Sequence, residues 1–596
     1  MRAPSVRVPM LPITAVVAVV TASSAACSDS RSTPPTEDAG PGETPTTTNV
    51  TAPRPVGPVS VSFLTSRRPT LRWQLPQGAD GARVDVCADR GCDRVLASFD
   101  APGDHGAPPA ELPPGAVFWR LHGTVAGAVG VATSVAWELV VPAQSAPLST
   151  AWGAMLDANG DGFGDVVVGD SDAFAPTQHV FVHHGGAGGP SALPSSVLSA
   201  ASPVAGYASS VASAGDVDGD GFADLLVGSP GEDTVYVYRG GPAGFADPPS
   251  AVLTGPAKSS FGAALSGAGD VDGDGYADIV VGLPLLSAPS GSLVQGGAIL
   301  YYGGSGGLSP SSRSIALGPR AGSDAQALGT FVSTAGDLDG DGLADVAVWG
   351  GIESTDPQYI LVYYGGARPF GVTPSALLQY EGASPSWLGH ANLLACAGDT
   401  NGDGYADLVM STPVPPNDFT LDHLSLFLGG PGGAALVPSR RIASPLAQMD
   451  HFGLSVAGLD ANQDGLDDVV TSTASYAQPP VSALLYLGGP SGLSLSTTMT
   501  TTDATTLFER ELGSSGDIDG DGFPDLVIGF PARVTPNGDA GSVDAGDAVD
   551  AGPSGPLRGA VEVHAGSARG VGVAARWVLL PPDGTALAYG ASLVRP

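Results

Sequence analysis

The chain has 596 residues and is strongly acidic, with 24 Lys and Arg against 59 Asp and Glu and a net charge of −35. That balance excludes nucleic acid as a partner, because nucleic-acid binding needs a basic stripe. The length admits more than one domain, and 86 Gly and 53 Pro suit short strands joined by tight turns.

At the N-terminus, Arg2 and Arg7 precede an apolar stretch from Met10 to Val20, followed by small residues up to Ser24-Ala25-Ala26-Cys27. The stretch is too short to span a bilayer, so residues 1–26 read as a signal peptide. The residues ending at Cys27 resemble a bacterial lipobox, although Ser24 stands where that motif usually carries Leu. The resemblance implies lipidation of Cys27. Ser28 after it resembles outer-membrane lipoproteins and implies an exported protein, lipid-anchored at a bacterial outer membrane or cell surface. Residues 27–57 are rich in Pro, Thr and Asp, and the expectation is a disordered tether.

Residues 58–143 read as a separate small β-sandwich. Leu71-Arg72-Trp73-Gln74-Leu75-Pro76 supplies a strand with a core Trp, and Pro114-Gly115 turns into the strand Ala116-Val117-Phe118-Trp119-Arg120. Both segments resemble bacterial fibronectin type III domains. Cys87 and Cys92 flank a hairpin tip, and in an exported protein a disulfide between them is expected.

From residue 147 to 596 one line is written seven times: Asp-x-Asp/Asn-x-Asp-Gly-x-x-Asp, then a short apolar run. The ligand sets are Asp157, Asn159, Asp161, Asp165; Asp216, Asp218, Asp220, Asp224; Asp270, Asp272, Asp274, Asp278; and Asp337, Asp339, Asp341, Asp345. The remaining three are Asp399, Asn401, Asp403, Asp407; Asp460, Asn462, Asp464, Asp468; and Asp517, Asp519, Asp521, Asp525. Carboxylates at positions 1, 3, 5 and 9 of a tight loop converge on one point, and a glycine at position 6 lets the backbone turn. Hard oxygen donors in this number suit Ca2+, which takes about six to eight oxygens, so up to seven ions are expected. Magnesium prefers a near-ideal octahedron and keeps its waters, and no loop offers the Cys or His that zinc favours. Three or four carboxylates in one loop repel one another unless a cation neutralises them. Asn at position 3 removes one charge, so the first, fifth and sixth sites are expected to bind more weakly.

Successive loops start 59, 54, 67, 62, 61 and 57 residues apart, a period that signals an array or propeller. Each unit is expected to open a strand about nine residues before its loop, at Tyr207, Phe261, Leu328 and Phe508 in the clearest copies. A continuous apolar strand follows, such as Leu225-Leu226-Val227 or Ile279-Val280-Val281, then an aromatic-rich third strand, a Gly-Gly turn and a weaker fourth. Unbroken apolar runs indicate strands buried on both faces. Four strands per unit in seven units predict an all-β chain: a seven-bladed β-propeller preceded by the small β-sandwich. The first unit lacks an opening strand and Tyr589-Gly590-Ala591-Ser592-Leu593-Val594 lacks a loop, so the C-terminus is expected to complete the first blade.

These units resemble FG-GAP repeats, the propeller of integrin α-subunits. The resemblance implies structural calcium on one face and ligand binding on the opposite face. Integrin heterodimer pairing does not carry over, and a monomer is expected. Residues 535–557 read as a disordered acidic insertion in the last blade.

Catalysis finds little support. Gly303-Gly304-Ser305-Gly306-Gly307 matches the nucleophile-elbow pattern, but Gly-Gly turns recur in other units and this one opens no helix. His179 and His183 share a strand face and read as packing residues, and Cys396 as an inert free thiol. The expectation is a non-catalytic adhesion or recognition module for a glycan, matrix or protein ligand. The alternatives are a hydrolase or lyase acting on polysaccharide or lipid, and a structural envelope protein.

Overall fold

The computed structural model describes residues 50–57, 62–64, 67–141 and 156–593, except within the last span 171–177, 201–205, 287–295, 310, 312, 317–326, 351–357, 367, 369–372, 381–392, 413–422, 446–450, 475–480, 501–510, 531–559 and 582–588. The leader with Cys27, the aromatic Phe508 and the acidic insertion lie outside the described residues. Among the described residues, no helix is long and apolar enough to cross a membrane.

The N-terminal region is built from nine strands: β1 (Arg54–Gly57), β2 (Ser62–Phe63), β3 (Leu71–Gln74), β4 (Gly81–Cys87), β5 (Val95–Pro102), β6 (His105–Gly106), β7 (Gly115–Val125), β8 (Ala128–Thr133) and β9 (Trp137–Val141). One sheet runs β1-β3-β6, and the other runs β2-β9-β7-β4-β5 with β8 paired to β7. They share one apolar core, in which Leu71 and Trp73 of β3 meet Val84 and Val86 of β4, Trp119 and Leu121 of β7 and Trp137 of β9. Alternation drives this: β3 buries Leu71 and Trp73 and exposes Arg72 and Gln74. The folded region starts earlier than the tether boundary at 57 implied. Arg54–Gly57 pairs antiparallel with β3, at the edge of its sheet. The misreading is physical: Pro55 marks both an extended tether and an edge strand, and only edge strands tolerate it.

The described residues from 156 onward form seven four-stranded antiparallel sheets. In the second, Ser210–Gly215, Asp224–Ser229, Thr234–Tyr238 and Ala251–Thr254 pair in chain order, and the third to seventh follow the same plan. The first sheet differs. Its order is Ser196–Ser199, His179–His183, Val166–Asp170 and then the C-terminal strand Tyr589–Leu593, which pairs antiparallel with Val166–Asp170.

Each second strand is buried along its length, as at Asp224–Ser229 and Asp278–Gly282. Neighbouring sheets enclose the apolar clusters between them. Val227 and Tyr238 pack with Val167 and Val182 of the first sheet, whereas Leu226 and Val237 pack with Ile279 and Tyr301 of the third. The strands leading into loops two to seven touch one another in turn, and Tyr589–Leu593 touches both the second and the seventh, closing the circuit.

The aromatic markers sit slightly off their expected places. Tyr207 and Phe261 lie in turns ahead of the strands that begin at Ser210 and Leu265, and Leu328 makes an isolated bridge to Gly296 before the strand at Phe331. All three are buried between sheets. They mark the turn before the strand because packing, not pairing, selects them.

Candidate metal centres

Loops two to seven each sit between the first and second strands of their sheet, and the first loop leads into Val166–Asp170. In five sheets a register shift ends the first strand at a glycine of positive φ, as at Gly215 (φ 73) and Gly269 (φ 71), which re-aims the chain into the loop. In loops two to seven the ninth-position Asp is the first residue of the second strand.

Backbone N–H groups organise the carboxylates in one pattern. In the second loop, Asp216 Oδ1 accepts from the N–H of Gly219 and Asp220 at 2.7 and 3.0 Å, and Oδ2 accepts from Gly221 at 2.8 Å. Asp224 Oδ2 accepts from Val217 at 3.0 Å, and its Oδ1 accepts from Gly240 of the Gly-Gly turn at 2.9 Å. The third, fourth, fifth and seventh loops repeat the ninth-position bonds, with Gly303, Gly365, Gly429 and Gly566 as donors from the turn. The Gly-Gly turns thus serve the loops. Gly303 and Gly304, the start of the elbow-like motif, spend their N–H groups on Asp278 and on the Val217 carbonyl.

Ligand oxygens lie within 4.8 Å of one another in four groups: Asp216, Asp218, Asp224; Asp270, Asp272, Asp278; Asp337, Asp339, Asp345; and Asp517, Asp519, Asp521. The structure therefore brings positions 1, 3 and 9 together in loops two to four and positions 1, 3 and 5 in loop seven. All four positions were expected to converge. The fifth-position carboxylates cap a local turn in either case, as Asp220 does by accepting from Phe222 at 3.0 Å and Asp521 by accepting from Phe523 at 3.1 Å. In the first, fifth and sixth loops, Asn159, Asn401 and Asn462 accept from the N–H of Asp161, Asp403 and Asp464 at 3.0, 2.9 and 3.0 Å.

The carboxylates carry the signature of buried charge. Asp157, Asp337 and Asp460 are pushed up to about 7, and Asp216, Asp399 and Asp517 to about 6, by burial first. Asp165, Asp224, Asp278 and Asp345 are driven well above the carboxylate range by burial, with neighbouring carboxylates adding to it. Asp218 Oδ1 and Asp272 Oδ1 are buried and accept no hydrogen bond. A buried carboxylate oxygen without a donor is costly unless a cation faces it. These oxygens, in an all-oxygen donor set, fit a hard divalent ion.

Among the described residues, four arginines reach the loop carboxylates, and the motif does not encode them. Arg239 Nε lies 2.9 Å from Asp218, Arg368 contacts Asp272 and lies 2.6 Å from Asp274, and Arg576 contacts Asp519. Arg90 comes from the β4–β5 hairpin tip, closed by the Cys87–Cys92 disulfide. Its guanidinium lies 3.3 Å from Asp270 and 2.7 Å from the buried Glu138, donates to the Gly342 carbonyl and sits over the Phe118 ring. The N-terminal sheets thus rest on the loops themselves. Pro114 is packed so closely on Gly221 (φ 90) that a Cβ there would lie 2.9 Å from it, and Arg54 stacks on Tyr405 of the fifth loop.

His179 and His183 do not meet. His179 Nδ1 pairs with Ser199 Oγ and His183 Nδ1 with the Ser191 carbonyl. Cys396 is a free thiol pushed up to about 12 by burial, consistent with inertness.

Residues 216–281 match an FG-GAP-like repeat model and residues 512–545 an FG-GAP repeat model. Integrin alpha-7 of Rattus norvegicus is 39% identical over 139 residues, covering 22% of this chain and 12% of that protein. Integrin alpha-4 of Xenopus laevis is 31% identical over 150 residues (24% and 14%), and integrin alpha-IIb of Homo sapiens 36% over 146 (22% and 14%). The matches thus span only 12–14% of these curated relatives' own length. Among solved structures, a rhamnogalacturonan lyase PL11 of Bacillus licheniformis aligns with 88% of this chain and 76% of its own at 12% identity, with a TM-score of 0.22 that carries no argument. The chain carries FG-GAP repeats and is integrin-α-like where they match.

Proposed function

We propose that this chain is a calcium-organised, seven-bladed β-propeller that acts as a non-catalytic adhesion or recognition module. Seven repeats of one carboxylate loop support Ca2+ as its ion, in up to seven sites. The donorless Asp218 and Asp272 oxygens are the observation that carries this reading. The ion supplies charge neutralisation, and the loop carboxylates and their N–H donors hold its ligands in place. The sequence similarity to integrin alpha chains supports recognition as the role.

The ligand is a glycan, matrix component or protein, bound on the face opposite the loops. The seating of the N-terminal sheets on the second to fifth loops favours that face, because it covers part of the other. We assign the N-terminal sheets to a fibronectin type III-like domain, and Cys27 to a lipid anchor at the bacterial outer membrane or cell surface. The protein acts as a monomer.

The test is retention of the purified chain on bacterial polysaccharides, matrix proteins and whole cells, in calcium and then in excess chelator. Specific retention lost with chelator is the expected result. Turnover of a polysaccharide or lipid by the purified chain would overturn the non-catalytic reading.

A further inference from the structure

The seven loops fall into two charge classes. The first, fifth and sixth carry Asn at position 3 and three carboxylates. The second, third, fourth and seventh carry Asp there and four carboxylates. The arginine contacts follow this division. Arg239, Arg368 and Arg576 each meet a third-position Asp, namely Asp218, Asp272 and Asp519. Among the described residues, no arginine contacts a ligand of the three Asn loops.

The arginines reach these carboxylates from unrelated places. Arg239 ends the third strand of its own sheet and also donates to the Gly306 carbonyl of the next. Arg368 follows a Gly-Gly turn of the fourth sheet and reaches back to the third loop, its guanidinium 4.3 Å from the Tyr302 ring centre. Arg576 precedes the last strand of the seventh sheet and lies 4.4 Å from the centre of Trp577, whose indole N–H donates to the Gly188 carbonyl at 3.0 Å. Each guanidinium is therefore held in place by a second contact, although its side chain is 35–53% exposed. Three independent routes to one loop position indicate that the position needs the charge.

We propose that these arginines offset the extra carboxylate of loops two, three and seven, so that each binds calcium more weakly than four ligand carboxylates alone would. With one guanidinium against four ligand carboxylates, each carries a net −3 at its ligand positions, as the first loop does with three; the sixth loop adds Asp467 at position 8, whose Oδ2 accepts from the Asp399 N–H of the fifth at 2.7 Å. At the third loop Arg90 of the N-terminal region also lies 3.3 Å from Asp270, with the buried Glu138 beside it. The fourth loop is the exception. Among the described residues no arginine contacts Asp339, and Arg90 meets this loop at the Gly342 carbonyl. It therefore keeps four ligand carboxylates with no guanidinium on its third position.

The inference rests on the calcium reading, and a calorimetric calcium titration of the chelator-stripped full chain separates the two. In the wild-type protein the second, third and seventh sites are expected not to form a class tighter than the three Asn sites. The Arg239→Gln/Arg368→Gln/Arg576→Gln variant is expected to bind calcium about tenfold more tightly at three sites, since a unit charge a few ångströms from a divalent ion acts on it even through water's screening. The corresponding Lys variant keeps the charge and is expected to titrate like wild type, which separates charge from packing. A wild-type isotherm that splits into three weak and four tight sites would overturn the proposal without any variant. So would Gln variants that bind calcium unchanged or more weakly. No calcium uptake by the wild-type chain would overturn the calcium reading itself, and this inference with it.

Discussion

The N–H of Gly164 donates to the carbonyl of Asp517 over 2.8 Å, so the first loop leans directly on the last. The same bond recurs between successive loops: Ala223 to Asp157, Ala277 to Asp216, Ala344 to Asp270, Ala406 to Asp337 and Asp467 to Asp399, at 3.0–3.2 Å. Second glycines of the Gly-Gly turns add a parallel bond, as from Gly241 to the Ala158 carbonyl. The loops form a belt around one rim of the sheets, and what fixes one loop is transmitted to its neighbours. Pro524 stands at the donor position facing the sixth loop and has no N–H to give, so that junction lacks the bond.

Closure through the C-terminal strand is expected to dominate stability. Leu593 is buried against Val168 and Val527, and Ser592 Oγ donates to the Ala208 carbonyl at 2.7 Å, tying the strand to the second sheet. Truncation before Tyr589 removes that burial, worth about 2 kcal/mol for the leucine alone, and leaves the Val166–Asp170 strand as an open edge. A melting temperature lower by at least about 5 °C is expected by calorimetry, taking a few kcal/mol in a large domain. An unchanged transition would mean that the circuit does not depend on this strand.

Without calcium, the protein is expected to lose stability as pH rises. The first-position carboxylates Asp157, Asp337 and Asp460 are pushed up to about 7 by burial, while in the unfolded chain they return to about 3.9. Between those values the folded state holds more protons than the unfolded state, so stability falls as pH climbs through the window. Calcium displaces those protons and favours the ionised form. Thermal melts at about pH 5 and about pH 8 in chelator should therefore show a lower transition at the higher pH, and saturating calcium should reverse or abolish the difference. A chelated protein more stable at the higher pH would contradict this balance.

The repeating parts of this architecture were legible because each was written seven times. The apolar second strands and the C-terminal strand follow from period and register and appear at the expected residues, and the loop carboxylates, read the same way, come together in threes in four of the loops. What the sequence concealed has no register. Arg239 precedes a Gly-Gly turn, Arg368 follows one and Arg576 precedes a fourth strand, so no spacing rule connects them to third-position aspartates. Arg90 lies 180 residues from Asp270 and in another set of sheets, and only the seating of those sheets on the loops brings the two together. β1 was hidden for a different reason, since composition cannot distinguish a proline-bearing edge strand from an extended linker.

Gln463 offers a local test of loop geometry. It occupies position 4 of the sixth loop, where the other six loops carry glycine with φ between 69 and 79, and it adopts φ 59 itself. A side chain in the left-handed region costs about 1 kcal/mol, and the Gln463 amide nitrogen is also buried without a partner. Gln463→Gly is expected to stabilise the chain by up to about 1 kcal/mol, part of the gain being offset by the freedom glycine adds to the unfolded chain. Gly402→Gln in the fifth loop should destabilise by a similar amount, because Leu466 already lies within 2.8 Å of where its Cβ would be placed. Denaturant midpoints of the two variants check both signs.

The seat of the N-terminal sheets can be tested through Arg90 and Glu138. Glu138 is 2% exposed and is driven well above the carboxylate range by burial first and then by Asp270, against which Arg90 acts. Arg90→Ala therefore leaves a buried carboxyl group facing the third-loop aspartates without its guanidinium, a change that typically costs about 3–5 kcal/mol. Adding Glu138→Gln removes the stranded charge and is expected to recover most of the loss, since replacing both partners of a buried pair is often close to neutral. Protease susceptibility of the 87–92 hairpin, which carries Arg90 at its tip, should rise in the single variant and return toward wild type in the double. If Arg90→Ala melts and resists protease like wild type, the N-terminal sheets are held on the loops by Pro114 and Arg54 and not by this ion pair.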